Sequence, residues 1–139
     1  MRVSCDDVTP TDPERTVLVA DDQAGQRAVI DMLLSLDGLT TVAVSDGREA
    51  LDWLKANTPD LAILDIKMPH VDGLDVCYRM KSIRRLQGAP VVILTGMRDE
   101  ATLERARAVG ADAVVRKPLE GKDFRATVAR LLSDEPDAD

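Results

Sequence analysis

Five short apolar runs alternate along the chain with longer stretches whose apolar residues recur at three- and four-residue steps. The runs Thr16 to Ala20, Thr40 to Val44, Leu61 to Leu64, Val91 to Thr95 and Asp112 to Arg116 read as strands. After the first, Val29, Leu33 and Leu36, with Ile30 and Leu34, predict a helix to about residue 36, stopped by Gly38. Asp46 is the expected N-cap of a second helix running to about Ala56, with Ala50, Leu51 and Leu54 turned inward. A third opens at Asp72 and Gly73 and carries Leu74, Val76, Cys77 and Met80 towards Ile83, before Gly88 and Pro90 break it. Asp99 caps a fourth through Val109, ended by Gly110. The last runs from Leu119 to Leu132 with Phe124, Val128 and Leu131 on one face. Residues 1–14 and the acidic residues 134–139 read as tails.

Buried strands that alternate with amphipathic helices predict a parallel sheet covered on both sides, joined by right-handed crossovers. The fold class is α/β, a flavodoxin-like (βα)5 doubly wound sheet. For five strands the order 2-1-3-4-5 fits, with its switch point between strands 1 and 3. No shift in composition marks a second domain, so residues 15–133 are expected to form one unit.

Charge narrows the partners. A formal −7 leaves nothing basic to neutralise phosphates, which argues against direct binding to nucleic acid or an anionic membrane. Cys5 and Cys77 make no disulfide framework, and the start has no signal-peptide apolar region. A cytoplasmic location is expected. With one Trp, one Tyr and one Phe, the core must be aliphatic. Trp53 and Cys77 read as packing residues, and Arg84 and Arg85 as the solvated end of the third helix, complementing its dipole.

Candidate chemistry lies where the strands end. Asp21 and Asp22 follow the first strand, Asp65 the third, Thr95 closes the fourth and Lys117 follows the fifth. In open α/β sheets, ligands gather outside the carboxyl ends of the strands. A lone aspartate there is usually a cap or turn residue; three carboxylates, a hydroxyl and an amine together need another explanation. Two carboxylates about 4 Å apart repel by roughly 4 kcal/mol at an effective dielectric near 20. Lys117 offsets part of this, and an all-oxygen cluster suits Mg²⁺. His70 reads as a solvated loop residue, so zinc is not indicated. A carboxylate nucleophile of this kind accepts a phosphoryl group as an acyl phosphate. Thr95 would donate to one phosphoryl oxygen, and Gly96 would leave room for the donor.

These residues carry a resemblance. Val17 to Asp22, Leu64 to Pro69 with Asp72 and Gly73, Leu94 to Gly96, and Gly110 to Pro118 are similar to the receiver domain of bacterial two-component response regulators. The likeness runs from about Arg15 to Leu132. It implies that Asp65 is the phosphoacceptor, served by a histidine kinase, a phosphotransfer protein or a small donor such as acetyl phosphate. By the same likeness Asp22 and Asp65 ligate Mg²⁺ directly, Asp21 through water and Lys67 through its backbone carbonyl. Lys117 bridges the phosphate and Thr95 moves towards it. The output surface is the fourth helix, fifth strand and fifth helix, read by a separate downstream effector; a phosphorylation-linked homodimer is a further expectation. Three positions depart from the family. Gln23 replaces an acid, Lys67 sits two residues past the acceptor, and Val114 replaces the usual switch aromatic.

Other readings fit less well. Haloacid-dehalogenase-like phosphatases resemble a pattern with an Asp where this chain has Lys67. A flavin carrier would need a Ser/Thr-rich phosphate loop in place of Asp21 to Gln23. A receiver fold that docks a partner without being phosphorylated is the serious alternative; Val114 and Lys67 favour it, and the full acidic set opposes it.

Overall fold

The computed structural model describes residues 15–96 and 100–133. Its strands are β1 (Thr16–Ala20), β2 (Thr40–Val44), β3 (Leu61–Asp65), β4 (Val91–Thr95) and β5 (Ala113–Arg116). Between and after them lie α1 (Ala24–Ser35), α2 (Gly47–Leu54), α3 (Gly73–Ser82), α4 (Glu100–Ala108) and α5 (Gly121–Leu132). All neighbouring strands pair in parallel, in the order β2-β1-β3-β4-β5. This is the doubly wound α/β architecture that the alternation of elements predicts.

Successive side chains of a strand point to opposite faces, so the sheet divides two cores. Leu18, Ala20, Ala62, Leu64 and Ile93 pack with Ala50 and Leu54 of α2, Cys77 and Met80 of α3 and Ala106 of α4. Val17, Val19, Leu61, Ile63 and Leu94 meet Ile30 and Leu34 of α1 and Phe124 and Val128 of α5. Strands β3 and β4 are buried at every residue, which is why each reads as an unbroken apolar run. At about 1.5–3 kcal/mol for each large side chain removed from water, these two layers dominate the stability.

Local chemistry sets the helix starts. Asp46 accepts from the Glu49 amide at 2.9 Å while Glu49 Oε1 accepts from the Ser45 amide at 2.8 Å. Asp72 accepts from the Asp75 amide and Glu120 from the Asp123 amide. At the end of α1, Gly38 takes φ +76°, and the Leu39 amide returns to the Leu34 carbonyl. The expected cap Asp99 lies outside the described residues, as do the two tails.

Two expectations need correction. Val29 and Leu36 of the predicted α1 stripe are 43% and 63% exposed, because the arc that packs on the sheet runs through Ile30, Leu33 and Leu34. On α5, as expected, Phe124 and Val128 are buried and Leu131 packs half-buried against the same core, beside the buried Leu132. Arg85 is no solvated end of its own helix, since α3 stops at Ser82. Its guanidinium donates to the carbonyls of Leu54, Lys55 and Asn57 and to the Thr58 hydroxyl, so it neutralises the end of α2. Trp53 is half-buried against the α2–α3 core, as a packing residue should be.

Candidate functional site

The register of the sheet assembles the site. Ala20 pairs with Leu64, Asp65 with Leu94, and Thr95 with Arg116. The next residues along β1 and β5 are Asp21 and Lys117, so both project from the edge where Asp65 and Thr95 end their strands. The Lys117 amide donates to the Thr95 carbonyl at 2.9 Å, which ties the β5 exit to β4.

Lys117 Nζ lies 2.9 Å from Asp65 Oδ2 and 3.8 Å from Asp21 Oδ2. Asp21 is fully buried. Its Oδ1 accepts from the Gln23 amide at 2.9 Å, whereas its Oδ2 has no hydrogen-bond partner. Burial pushes the Asp21 carboxyl above the ordinary aspartate range; the Gln23 N–H and Lys117 pull it down, and the Asp65 and Asp22 charges push it up. Asp22 is exposed at the rim. One carboxylate oxygen from each of Asp21, Asp22 and Asp65 lies within 4.8 Å of the other two. Hard oxygen donors with an orphaned buried oxygen among them fit a small divalent cation, and the cluster contains neither His nor Cys.

A cleft of about 400 Å³ opens over this cluster. Asp22, Lys67, Thr95 and Gly96 surround the Asp65–Lys117 pair in it. A Cβ on Gly96 would meet nothing within 4 Å, so the approach from that side is open. Thr95 is buried to within 2% of its surface, and Lys67 is exposed. Val114 pairs with Ile93 and packs half-buried against the α2–α3 core.

Two glycines clamp the loop after Asp65, a feature the sequence reading passed over. A Cβ on Gly73 would sit 2.3 Å from the Asp65 carbonyl oxygen, and one on Gly47 would sit 2.0 Å from the Val71 carbonyl oxygen. Between these contacts His70 adopts φ +71°, and the Val71 amide closes a tight turn on the Pro69 carbonyl at 2.8 Å. The Asp-Gly pairs that open α2 and α3 are the available signal; Gly73 is noted only beside its cap Asp72, and Gly47 is not noted at all. His70 is exposed and takes no part in the acidic cluster. Cys77 is buried, and burial pushes its thiol up to about 11, so it is a protonated packing residue.

Residues 17–129 match the response regulator receiver domain family. The chain belongs to that family. Among curated relatives of this receiver is a probable transcriptional regulator, ycf27, of Guillardia theta, 38% identical over 116 residues, 84% of this chain and 44% of the relative. The DNA-binding response regulator MtrA of Mycobacterium leprae is 35% identical over 123 residues, 86% of this chain and 53% of MtrA. The receiver thus spans about half the length of the curated relatives it matches. Among solved structures, the signal receiver domain of a signal transduction histidine kinase from Syntrophus aciditrophicus superposes with a TM-score of 0.82 at 32% identity, covering 90% of this chain and 95% of that one. No helix among the described residues is long and apolar enough to cross a membrane.

Proposed function

We propose that Asp65 accepts a phosphoryl group from the phosphohistidine of a histidine kinase or phosphotransfer protein, or from a small donor such as acetyl phosphate. The observation that carries this reading is the Lys117 ammonium 2.9 Å from Asp65 Oδ2, inside a cluster of three carboxylates at the mouth of an open cleft. A carboxylate oxygen of Asp65 bonds to phosphorus as the P–N bond to the imidazole breaks, and the leaving nitrogen keeps the electron pair. Lys117 and the Thr95 hydroxyl stabilise the charge that spreads over the phosphoryl oxygens. Asp22 and Asp65 directly, Asp21 through water and Lys67 through its backbone carbonyl would hold Mg²⁺, which when bound supplies positive charge to the same oxygens. The protein is then a phosphoacceptor that acquires and loses phosphate rather than a turnover enzyme.

The product adds about −1.5 to −2 charge and three acceptor oxygens at Asp65. Thr95 and Lys117 bind these oxygens better in one arrangement of the β4 and β5 exits than in the other. Only that difference, about 1–3 kcal/mol, shifts the population. Val114 has no ring to swing between buried and exposed positions, so the coupling runs through Thr95 and the Lys117–Thr95 backbone tie. The surface of α4, β5 and α5 carries the change to a separate effector protein, and a phosphorylation-linked homodimer is one form the output takes. Residues 15–133 constitute the receiver, acting in the cytoplasm without binding nucleic acid or membrane themselves.

Incubation with acetyl phosphate and Mg²⁺ followed by phosphate-affinity electrophoresis tests the reading. A retarded band is expected, lost in Asp65→Asn. Failure to label with either acetyl phosphate or a panel of histidine kinases would instead establish a docking module that keeps the receiver fold without its chemistry.

A further inference from the structure

A second concavity, of about 510 Å³, lies between α2 and α3 and shares no lining residue with the acidic cleft. Its exposed apolar surface is Tyr78 and Ile83, 60% and 43% exposed, with half-buried Leu51, over an apolar floor of Leu54, Met80 and Leu86 that belongs to the closed core. Its rim is basic. Arg48, Lys55, Arg79 and Arg85 line it against a single acid, Asp52, in a chain whose formal charge is −7. Arg48 and Arg79 are exposed and make no ion pair among the described residues. The groove is also held open in advance. Arg85, anchored on the carbonyls of Leu54, Lys55 and Asn57, fixes the spacing between the end of α2 and the turn after α3.

We infer that this groove docks an acidic amphipathic segment of a partner protein, most simply a helix. Its apolar residues, at i, i+3, i+4 and i+7, would pack on Tyr78, Ile83 and Leu51, and its flanking carboxylates would meet Arg48 and Arg79. An apolar floor favours a peptide over nucleic acid, which would leave Tyr78 and Ile83 uncovered and find only three net positive charges. Uncompensated cations around an apolar groove select an acidic partner and reject a basic one. Because Arg85 presets the groove, docking does not require phosphate on Asp65.

The test uses the unphosphorylated protein and a fluorescein-labelled amphipathic peptide of about 18 residues, long enough for five helical turns, with leucines on one face and glutamates flanking them. One control replaces the glutamates by lysines and another scatters the leucines. Anisotropy should show saturable binding of the acidic peptide alone, with amide NMR shifts concentrated in residues 48–55 and 78–86. Arg48→Glu combined with Arg79→Glu should weaken binding on the order of tenfold, while Asp65 labelling by acetyl phosphate persists and shows that the variant folds. Equal binding of the lysine or scattered peptide, or shifts centred elsewhere, would overturn the inference. So would sedimentation showing a dimer of this chain that the double variant dissolves, because the groove would then be closed by a second copy.

Discussion

Two lysine–aspartate pairs of equal length sit at opposite ends of the β4–β5 half of the sheet. At the carboxyl end Lys117 meets Asp65 at 2.9 Å; at the amino end Lys81 meets Asp112, also at 2.9 Å. Distance does not distinguish them, but saturation does. Lys81 also donates to the carbonyls of Ala89 and Gln87, and the Asp112 oxygen that it holds takes a second bond from the Val91 amide. Gly110, at φ +96°, opens the path for the lysine stem, since a Cβ there would lie 2.9 Å from Lys81 Cγ. Every donor in that knot is spent on fastening α3 to the starts of β4 and β5. Lys117 instead faces a cluster of three carboxylates, one of whose buried oxygens has no hydrogen-bond partner. A saturated pair is structural; an unsaturated one with like charges crowded around it is poised to receive something.

The largest effect expected from this contrast comes from exchanging the two lysines for methionine. Lys117→Met should slow labelling of Asp65 by acetyl phosphate on the order of 10²-fold, the usual loss when one charge-stabilising donor is removed. Lys81→Met should leave labelling within about twofold and cost roughly 1–2 kcal/mol in urea denaturation, a figure that allows for the partly exposed Asp112 carboxylate. If both variants lost stability equally and labelled equally, saturation would not separate the two pairs.

Burial of Asp21 yields the next effect. Its carboxyl is raised, so the folded state favours the protonated form. The associated stability is present below the ordinary aspartate value near 3.8 and is lost as pH rises through the raised one. Asp21→Asn, which carries no charge to bury, should therefore raise the melting midpoint by a few degrees at neutral pH in chelator. The gain should vanish in acid. Adding Mg²⁺ should shrink the difference by stabilising the wild type more, through binding to the native state alone. A variant no more stable than wild type at pH 7 would mean that the orphaned oxygen is not a source of strain.

Much of this was legible in the chain itself, for a reason that the two lysines illustrate. Strand ends are marked by an abrupt change from apolar to polar, and a parallel register carries all such marks to one edge, so Asp21, Asp65, Thr95 and Lys117 could be placed together. The Lys81–Asp112 knot could not, because its partners are backbone carbonyls brought together by turns of no fixed spacing. Arg85 was misplaced for the same reason: its acceptors belong to a helix about 30 residues earlier. Gly47 and Gly73 were visible, but a close approach between backbones leaves no mark in a pattern of apolar and polar side chains. On α1 the periodicity was correct and the width of the stripe was not, since Val29 and Leu36 satisfy the spacing yet lie outside the contact arc.

A third charged contact tests the contrast at its weakest. Arg125 of α5 holds Asp37 with two bonds, Nε to Oδ2 at 3.1 Å and a terminal nitrogen to Oδ1 at 2.7 Å. It is saturated like the Lys81 knot but lies at the surface, with side chains 39% and 34% exposed. The Arg125 bonds lower the Asp37 carboxyl, so its contribution is present above about pH 4 and is lost as pH falls through the lowered value. Arg125→Met should leave Asp65 labelling untouched and lower the melting midpoint slightly at pH 7, less than Asp21→Asn raises it. That small loss should disappear in strong acid and be halved or better by molar salt, which screens an exposed pair. A loss that persisted in both conditions would show that the guanidinium acts by packing the α1–α5 seam, leaving the contrast between saturated and unsaturated pairs to the two lysines alone.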